Sequence, residues 1–164
     1  RFPGRESYPG DIFYLHSKLL ERAGNFKEAS ITCLPVAEAP AGDMTGYIQT
    51  NLMSMTDGHI YFDSDLFFSG HRPAVNVFLS VTRVGKQTQD TKMQEVGRNV
   101  LTLLKRNEEM GRFLRFGPEV TPQISEILNK GANLYKFFNQ MPDELRAFDE
   151  SLKEINKILE IDKQ

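Results

Sequence analysis

The stretch "VNVFLSVTRVGKQTQ", residues 75–89, ends a run of strand-forming residues on a single cation, Arg83, just ahead of Gly85. Arginine carries a planar fork of donors that stays charged and matches the oxygens of a carboxylate or a phosphate. Two roles fit that position. Arg83 could pair with a carboxylate or a helix terminus at the strand end. It could also bind an anion at the C-terminal edge of a sheet, where α/β folds hold their ligands. The residues alone leave both readings open.

Other residues of chemical promise are scattered. Asp63 and Asp65 could form an acid/base pair, but they precede "LFFSG" and read as caps of a short helical turn. His16, His59 and His71 lack zinc spacing and read as surface or hydrogen-bonded histidines. Ser54, in "LMSMTDG", has no G-x-S-x-G setting, which disfavours a nucleophile. The phosphate-binding pattern G-x-x-x-x-G-K-[ST] is not met by "GHRPAV" or "GKQTQ". The one cysteine, Cys33, cannot form an internal disulfide, which suits a reducing compartment, and it reads as a small buried hydrophobe. Spacing alone yields no complete active site and no metal set.

The elements that must position these residues fall into two halves. Asp11 is a candidate N-cap for a helix with Ile12, Leu15, Leu19 and Ala23 on one face and Gly24 as its stop. "SITCLPV" (30–36), "GHIYF" (58–62) and "RPAVNVFLSV" (72–81) read as strands, and 37–51 reads as a long loop. From about Thr88 the pattern turns helical. One helix runs to Glu109, with a break at Gly117 and Pro118. A second is capped by Thr121 with Pro122 at its first position and ends near Pro142. A last segment sets Leu145, Phe148, Leu152, Ile155 and Leu159 in a narrow seam suited to a partner helix, inside or outside the chain.

Short strands joined by helices and long loops suggest parallel pairing, as part of a larger sheet. The expected fold is therefore the end of an α/β domain with a parallel sheet, residues 1–88, followed by a helical domain, residues 89–164. At 164 residues the chain can bury a core. Its net charge of −2 gives no general attraction to nucleic acid or to an anionic membrane. No apolar run approaches the roughly 20 residues of a membrane helix. The opening "RFPGRESYPGD" reads as a mid-protein loop, so the expectation is a fragment or a processed chain.

Four blocks in order, "PGRESYPGDIFYLHSKLLERAG" (3–24), "AGDMTGYIQTN" (41–51), "SMTDGHIYFDSDLF" (54–67) and "GHRPAVNVFLSVTRVGKQTQ" (70–89), resemble the alpha subunit of the F-type rotary ATP synthase. The likeness extends to about Gly117. It implies a P-loop NTPase-type α/β domain followed by the start of a helical bundle. It further implies a non-catalytic, nucleotide-binding-type subunit that acts with Mg2+ and ATP or ADP. Its partners would be catalytic beta-type subunits in a hetero-hexameric ring, a central stalk and a peripheral stalk. The complex would put this chain on the soluble side of an energy-transducing membrane (the bacterial cytoplasmic face or the mitochondrial matrix), with contact to the membrane only through the assembly.

Residue by residue, the resemblance makes Arg83 an arginine supplied in trans to the neighbour's ATP site. Ser54 matches a serine near the same phosphates. Arg72, Pro73 and Gln140 match residues beside the nucleotide that this subunit itself binds. Three departures stand out. Ser80-Val81-Thr82 replaces a Ser-x-Ser, Phe78 replaces a smaller residue, and Gln140-Met141-Pro142 keeps one glutamine of a Gln-x-Gln pair. The alternative is a helical interaction or scaffold module, or a divergent ATPase-like paralogue, with Arg83 structural.

Overall fold

The computed structural model describes residues 2–117 and 120–160; the expected break at Pro118 lies outside them. The chain divides into two compact units that interleave in sequence. One comprises residues 1–60 and 80–84, the other 61–79 and 85–164.

The first unit holds helix α1 (Ile12–Leu20) against helix α2 (Tyr47–Met55). Phe13 and Tyr47 stack between them, ring centroids 4.3 Å apart. The first five residues of α2 fall in the expected loop 37–51; Thr50, Asn51 and, beyond the loop, Ser54 are weak helix formers whose side chains compete for backbone partners. Here those side chains fold back onto their own helix. Thr50 Oγ1 donates to the Gly46 carbonyl at 2.8 Å and Ser54 Oγ to the Asn51 carbonyl at 2.7 Å. The stack on α1 supplies what propensity does not. Helix α1 begins after Asp11 as expected, but the Asp11 side chain makes no cap hydrogen bond, and Gly24 enters a strand instead of closing the helix.

The strands are shorter than expected and pair the other way. Strand β1 (Gly24–Asn25) pairs with β2 (Ser30–Ile31), and β3 (Gly58–His59) with β4 (Val81–Thr82), both antiparallel. A parallel pair needs a crossover of about a dozen residues or more. Four residues separate β1 from β2. Between β3 and β4 the five-residue helix α3 (Ser64–Phe68) turns the chain back, and a bridge between Phe62 and Val75 extends the return. The expected parallel sheet is therefore replaced, among the described residues, by two antiparallel ribbons. Residues 32–36 lie outside them, so Leu34 and Val36 stand exposed, and Cys33 is exposed instead of buried.

The second unit is built on three helices, α4 (Thr91–Leu114), α5 (Pro122–Phe138) and α6 (Phe148–Glu160). The expected cap of α5 is in place, Thr121 accepting from the Ile124 N–H with Pro122 next, while α4 starts later than the expected Thr88, capped by Asp90, which accepts from the Met93 N–H. Leu104 of α4, Leu134 of α5 and Ile158 of α6 meet in the core, flanked by Val100, Leu103 and Phe138. Gly131 lets α5 approach α4, since a Cβ there would lie 2.3 Å from side-chain atoms of Asn107. Of the expected seam, Leu152, Ile155 and Leu159 are half-buried, while Leu145 and Phe148, at its head, are exposed; the residue that α6 sends into the core is Ile158, which the expected seam left out.

Candidate functional site

The five expected site residues form two groups, one in each unit.

Arg83 and Ser54 share the first. Gly58 pairs with Thr82 in the β3–β4 ribbon, and the Arg83 N–H donates to the Asp57 carbonyl at 2.8 Å, continuing that pairing past β4. The close approach requires Gly58, because a Cβ there would sit 2.4 Å from the Val81 carbonyl oxygen. This register fixes the Arg83 backbone beside the C-terminal end of α2. Helix ends leave carbonyls without intrahelical partners. Arg83 Nη2 meets them, donating to the carbonyls of Ser54 at 3.2 Å, Met53 at 3.5 Å, and Thr56. A cation at a helix C-terminus also opposes the helix dipole favourably. Ser54 contributes its carbonyl to this contact, while its hydroxyl points back along α2. Arg83 itself is exposed, and its Nε and Nη1 make no hydrogen bond among the described residues.

Arg72, Pro73 and Gln140 share the second. The Arg72–Pro73 peptide is cis. The Gln140 N–H donates to the Arg72 carbonyl at 2.9 Å, which joins the loop before Pro73 to the end of α5. The Arg72 guanidinium stays local. Its Nη1 donates to the carbonyls of Phe67 and His71, each at 2.7 Å, and it lies 3.6 Å over the Phe67 ring. Pro73 and Gln140 line a cleft of about 260 Å³, together with Leu66, His71, Tyr135 and Phe138. His71 and Tyr135 meet edge to face, centroids 5.0 Å apart. Burial pushes the Tyr135 phenol above its ordinary range, and the Glu108 carboxylate adds to the shift.

Below the cleft, Asp63 holds the turn into α3. Its Oδ1 accepts from the Asp65 N–H at 2.9 Å and the Leu66 N–H at 3.4 Å, and its Oδ2 from Asn76 Nδ2 at 2.9 Å. The bond from Asn76 leads in holding its carboxyl below the ordinary aspartate range, and the two backbone donors add to it. Asp63 is thus a cap, as its sequence context suggests, and not half of an acid/base pair.

The cleft suits a flat, mostly uncharged group: apolar walls, a few polar edges, and no lysine or arginine among its lining residues. Among the described residues no group of three His, Cys, Asp or Glu could hold a metal ion, and no helix is long and apolar enough to cross a membrane.

Two contributors had no signal in the sequence. The α2 carbonyls that receive Arg83 are backbone groups, which residue type does not announce. Asn139, whose side chain accepts from the Arg72 N–H at 2.8 Å, is marked only by standing after a helix and before Gln140.

The family model described as "ATP synthase alpha/beta family, nucleotide-binding domain" matches residues 1–82. That span contains α1, α2, both ribbons, Ser54, Arg72 and Pro73, and it stops one residue short of Arg83. With half of its length matched in this way, the chain belongs to the ATP synthase alpha/beta family and carries part of its nucleotide-binding domain.

Proposed function

We propose that this chain is the non-catalytic, alpha-type subunit of a rotary ATP synthase, or a part of it, and that it lends Arg83 to the ATP site of a neighbouring catalytic subunit. Phosphoryl transfer spreads charge over the transferring oxygens, and an arginine supplied in trans stabilises it, an effect of roughly 10³–10⁵ in rate in comparable enzymes. Lodging that arginine on a neighbour makes turnover depend on closure of the interface. In this reading residues 1–88 belong to the nucleotide-binding domain and 89–164 to the helical domain. The partners are beta-type subunits in a hetero-hexameric ring, a central stalk and a peripheral stalk. The cofactor is Mg2+ with ATP or ADP, and the complex works on the soluble side of an energy-transducing membrane. The cleft beside Pro73 and Gln140 takes the base of the nucleotide that this subunit holds.

The observation that carries the reading is the position of Arg83 directly after β4, exposed and beside Ser54, one residue past the matched family segment. The second reading, a structural Arg83, draws on its three carbonyl contacts at the end of α2. Its companion idea, a partner helix on the Leu145–Leu159 seam, draws on the exposure of Leu145 and Phe148.

The test is steady-state ATP turnover of the reconstituted ring with Arg83→Ala or Arg83→Lys. The expected loss is about several hundredfold or more, with nucleotide binding on the partner largely kept, since such an arginine acts mainly in the transition state. Unchanged turnover in a properly assembled ring would make Arg83 a structural arginine.

A further inference from the structure

Asn139, the residue that caps the C-terminus of α5, also lines the cleft. All four of its polar groups are engaged. Its N–H donates to the Tyr135 carbonyl at 3.1 Å, and its own carbonyl accepts from Arg146 Nη2 at 3.1 Å. Its Oδ1 accepts from the Arg72 N–H at 2.8 Å, and its Nδ2 reaches the Gly70 carbonyl at 3.5 Å. One residue on, Gln140 donates its N–H to the Arg72 carbonyl. Both backbone groups of Arg72 are therefore tied to residues 139 and 140. In a strand pair two backbones would do this; here the side-chain Oδ1 stands in for a missing backbone carbonyl.

The tie governs the cleft because Gln140, which lines it, is itself bonded to Arg72, and Pro73, which also lines it, follows Arg72 directly. The Arg72 side chain cannot do the same work, since its guanidinium is turned to Phe67 and His71. Behind Asn139, Arg146 is braced by Glu144 at 2.6 Å, by the Phe137 carbonyl and by the Phe137 ring 5.0 Å away. The approach to α6 thus backs the same joint.

We propose that Asn139 is the positioning residue of this cleft, fixing the Pro73 wall against Gln140 at the spacing a flat heterocyclic base requires. The proposal rests on the reading of the cleft as a nucleotide-base site. Asn139 itself need not touch the base.

The test is an amide NMR titration of the full chain with ATP, and separately with inorganic pyrophosphate, which lacks a base. Wild type, Asn139→Leu and Asn139→Asp are compared, together with hydrogen exchange at Arg72 and Gln140. Asn139→Leu removes both side-chain hydrogen bonds; Asn139→Asp keeps the acceptor for the Arg72 N–H. Wild type should shift at His71, Tyr135 and Gln140 with ATP and not with pyrophosphate. Asn139→Leu should speed exchange at Arg72 and weaken the ATP response about tenfold, the scale of one lost hydrogen bond. Asn139→Asp should restore both.

Unchanged exchange or unchanged ATP response in Asn139→Leu would overturn the positioning role, as would failure of Asn139→Asp to rescue. If wild type responds no differently to ATP and pyrophosphate, the nucleotide reading of the cleft falls, and the binding role of Asn139 falls with it. That failure appears in the wild-type titration, before any variant is compared.

Discussion

Arg83 Nη2 lies 3.2 Å from the carbonyl oxygen of Ser54, so the cation that closes the β4 segment rests on the end of the helix that carries the serine. The two residues meet through the serine's backbone, and the serine's hydroxyl has no part in it. Any role for Arg83 in a neighbour's site therefore begins from this docked position. Leaving it exposes three carbonyls to water, a small loss at an exposed site.

Removing the guanidinium should loosen the last turn of α2. In Arg83→Ala, amide hydrogen exchange should rise at Met55 and Thr56, with a loss of about 0.5–1 kcal/mol in local stability. Arg83→Lys should fall between, since one ammonium cannot reproduce the planar fork. Equal exchange in all three proteins would mean that the docked contact contributes nothing to α2.

Gly58→Ala should part the β3–β4 ribbon. The new methyl would meet the Val81 carbonyl at 2.4 Å, and backbone does not yield as a flexible side chain does. The expected cost is about 1–3 kcal/mol, read from the urea midpoint. A midpoint equal to wild type would show that the strands can separate without penalty.

Asp63 gives the turn into α3 a pH dependence of known sign. Its carboxyl titrates lower in the folded chain than in an unfolded one, chiefly through the bond from Asn76. It therefore contributes stability above the ordinary aspartate range, and that contribution is lost as pH falls through its folded value. Its exposure keeps the effect small. Below about pH 4, wild type should lose stability more steeply than Asp63→Asn, which keeps an acceptor but cannot ionise. Parallel acid titrations of the two proteins would refute this.

Two leucines of the helical region should behave oppositely. Leu134 is fully buried and Leu145 is 97% exposed. Leu134→Ala should cost about 2–5 kcal/mol in denaturant unfolding, and Leu145→Ala less than about 0.5 kcal/mol. A large loss for Leu145→Ala would point to a partner covering the start of the seam.

These contrasts show where the residues spoke plainly. The cap of α5 was readable because Thr121 and Pro122 act within one turn of themselves; Asp90, the cap of α4, was not, because the helical pattern starts near Thr88. The turn held by Asp63 was readable too. Strand pairing was not readable, because "SITCLPV" and "GHIYF" carry the composition of strands while partner and direction depend on distant chain. Helix α2 was hidden by its hydroxyl and amide residues, and the Phe13–Tyr47 stack that joins it to α1 depends on distant chain. At the site, residue type and place singled out Arg83, and the resemblance alone pointed to Arg72, Pro73 and Gln140. They gave no hint that Arg83 would land on α2, or that Asn139 would join Arg72 to α5.

The interleaving of the two units limits how the chain can be dissected. The chain passes between them at 60/61, 79/80 and 84/85. A protease cut at the first of these would leave β3 on one fragment and β4 on the other. No single truncation isolates either unit whole. A gene fragment ending at residue 60 would lose the strand that delivers Arg83, and one starting at residue 61 would carry that strand without its partner. Residues 61–79 behave as an insert within the first unit, so a minimal version of it would have to splice residue 60 to residue 80 through a new linker.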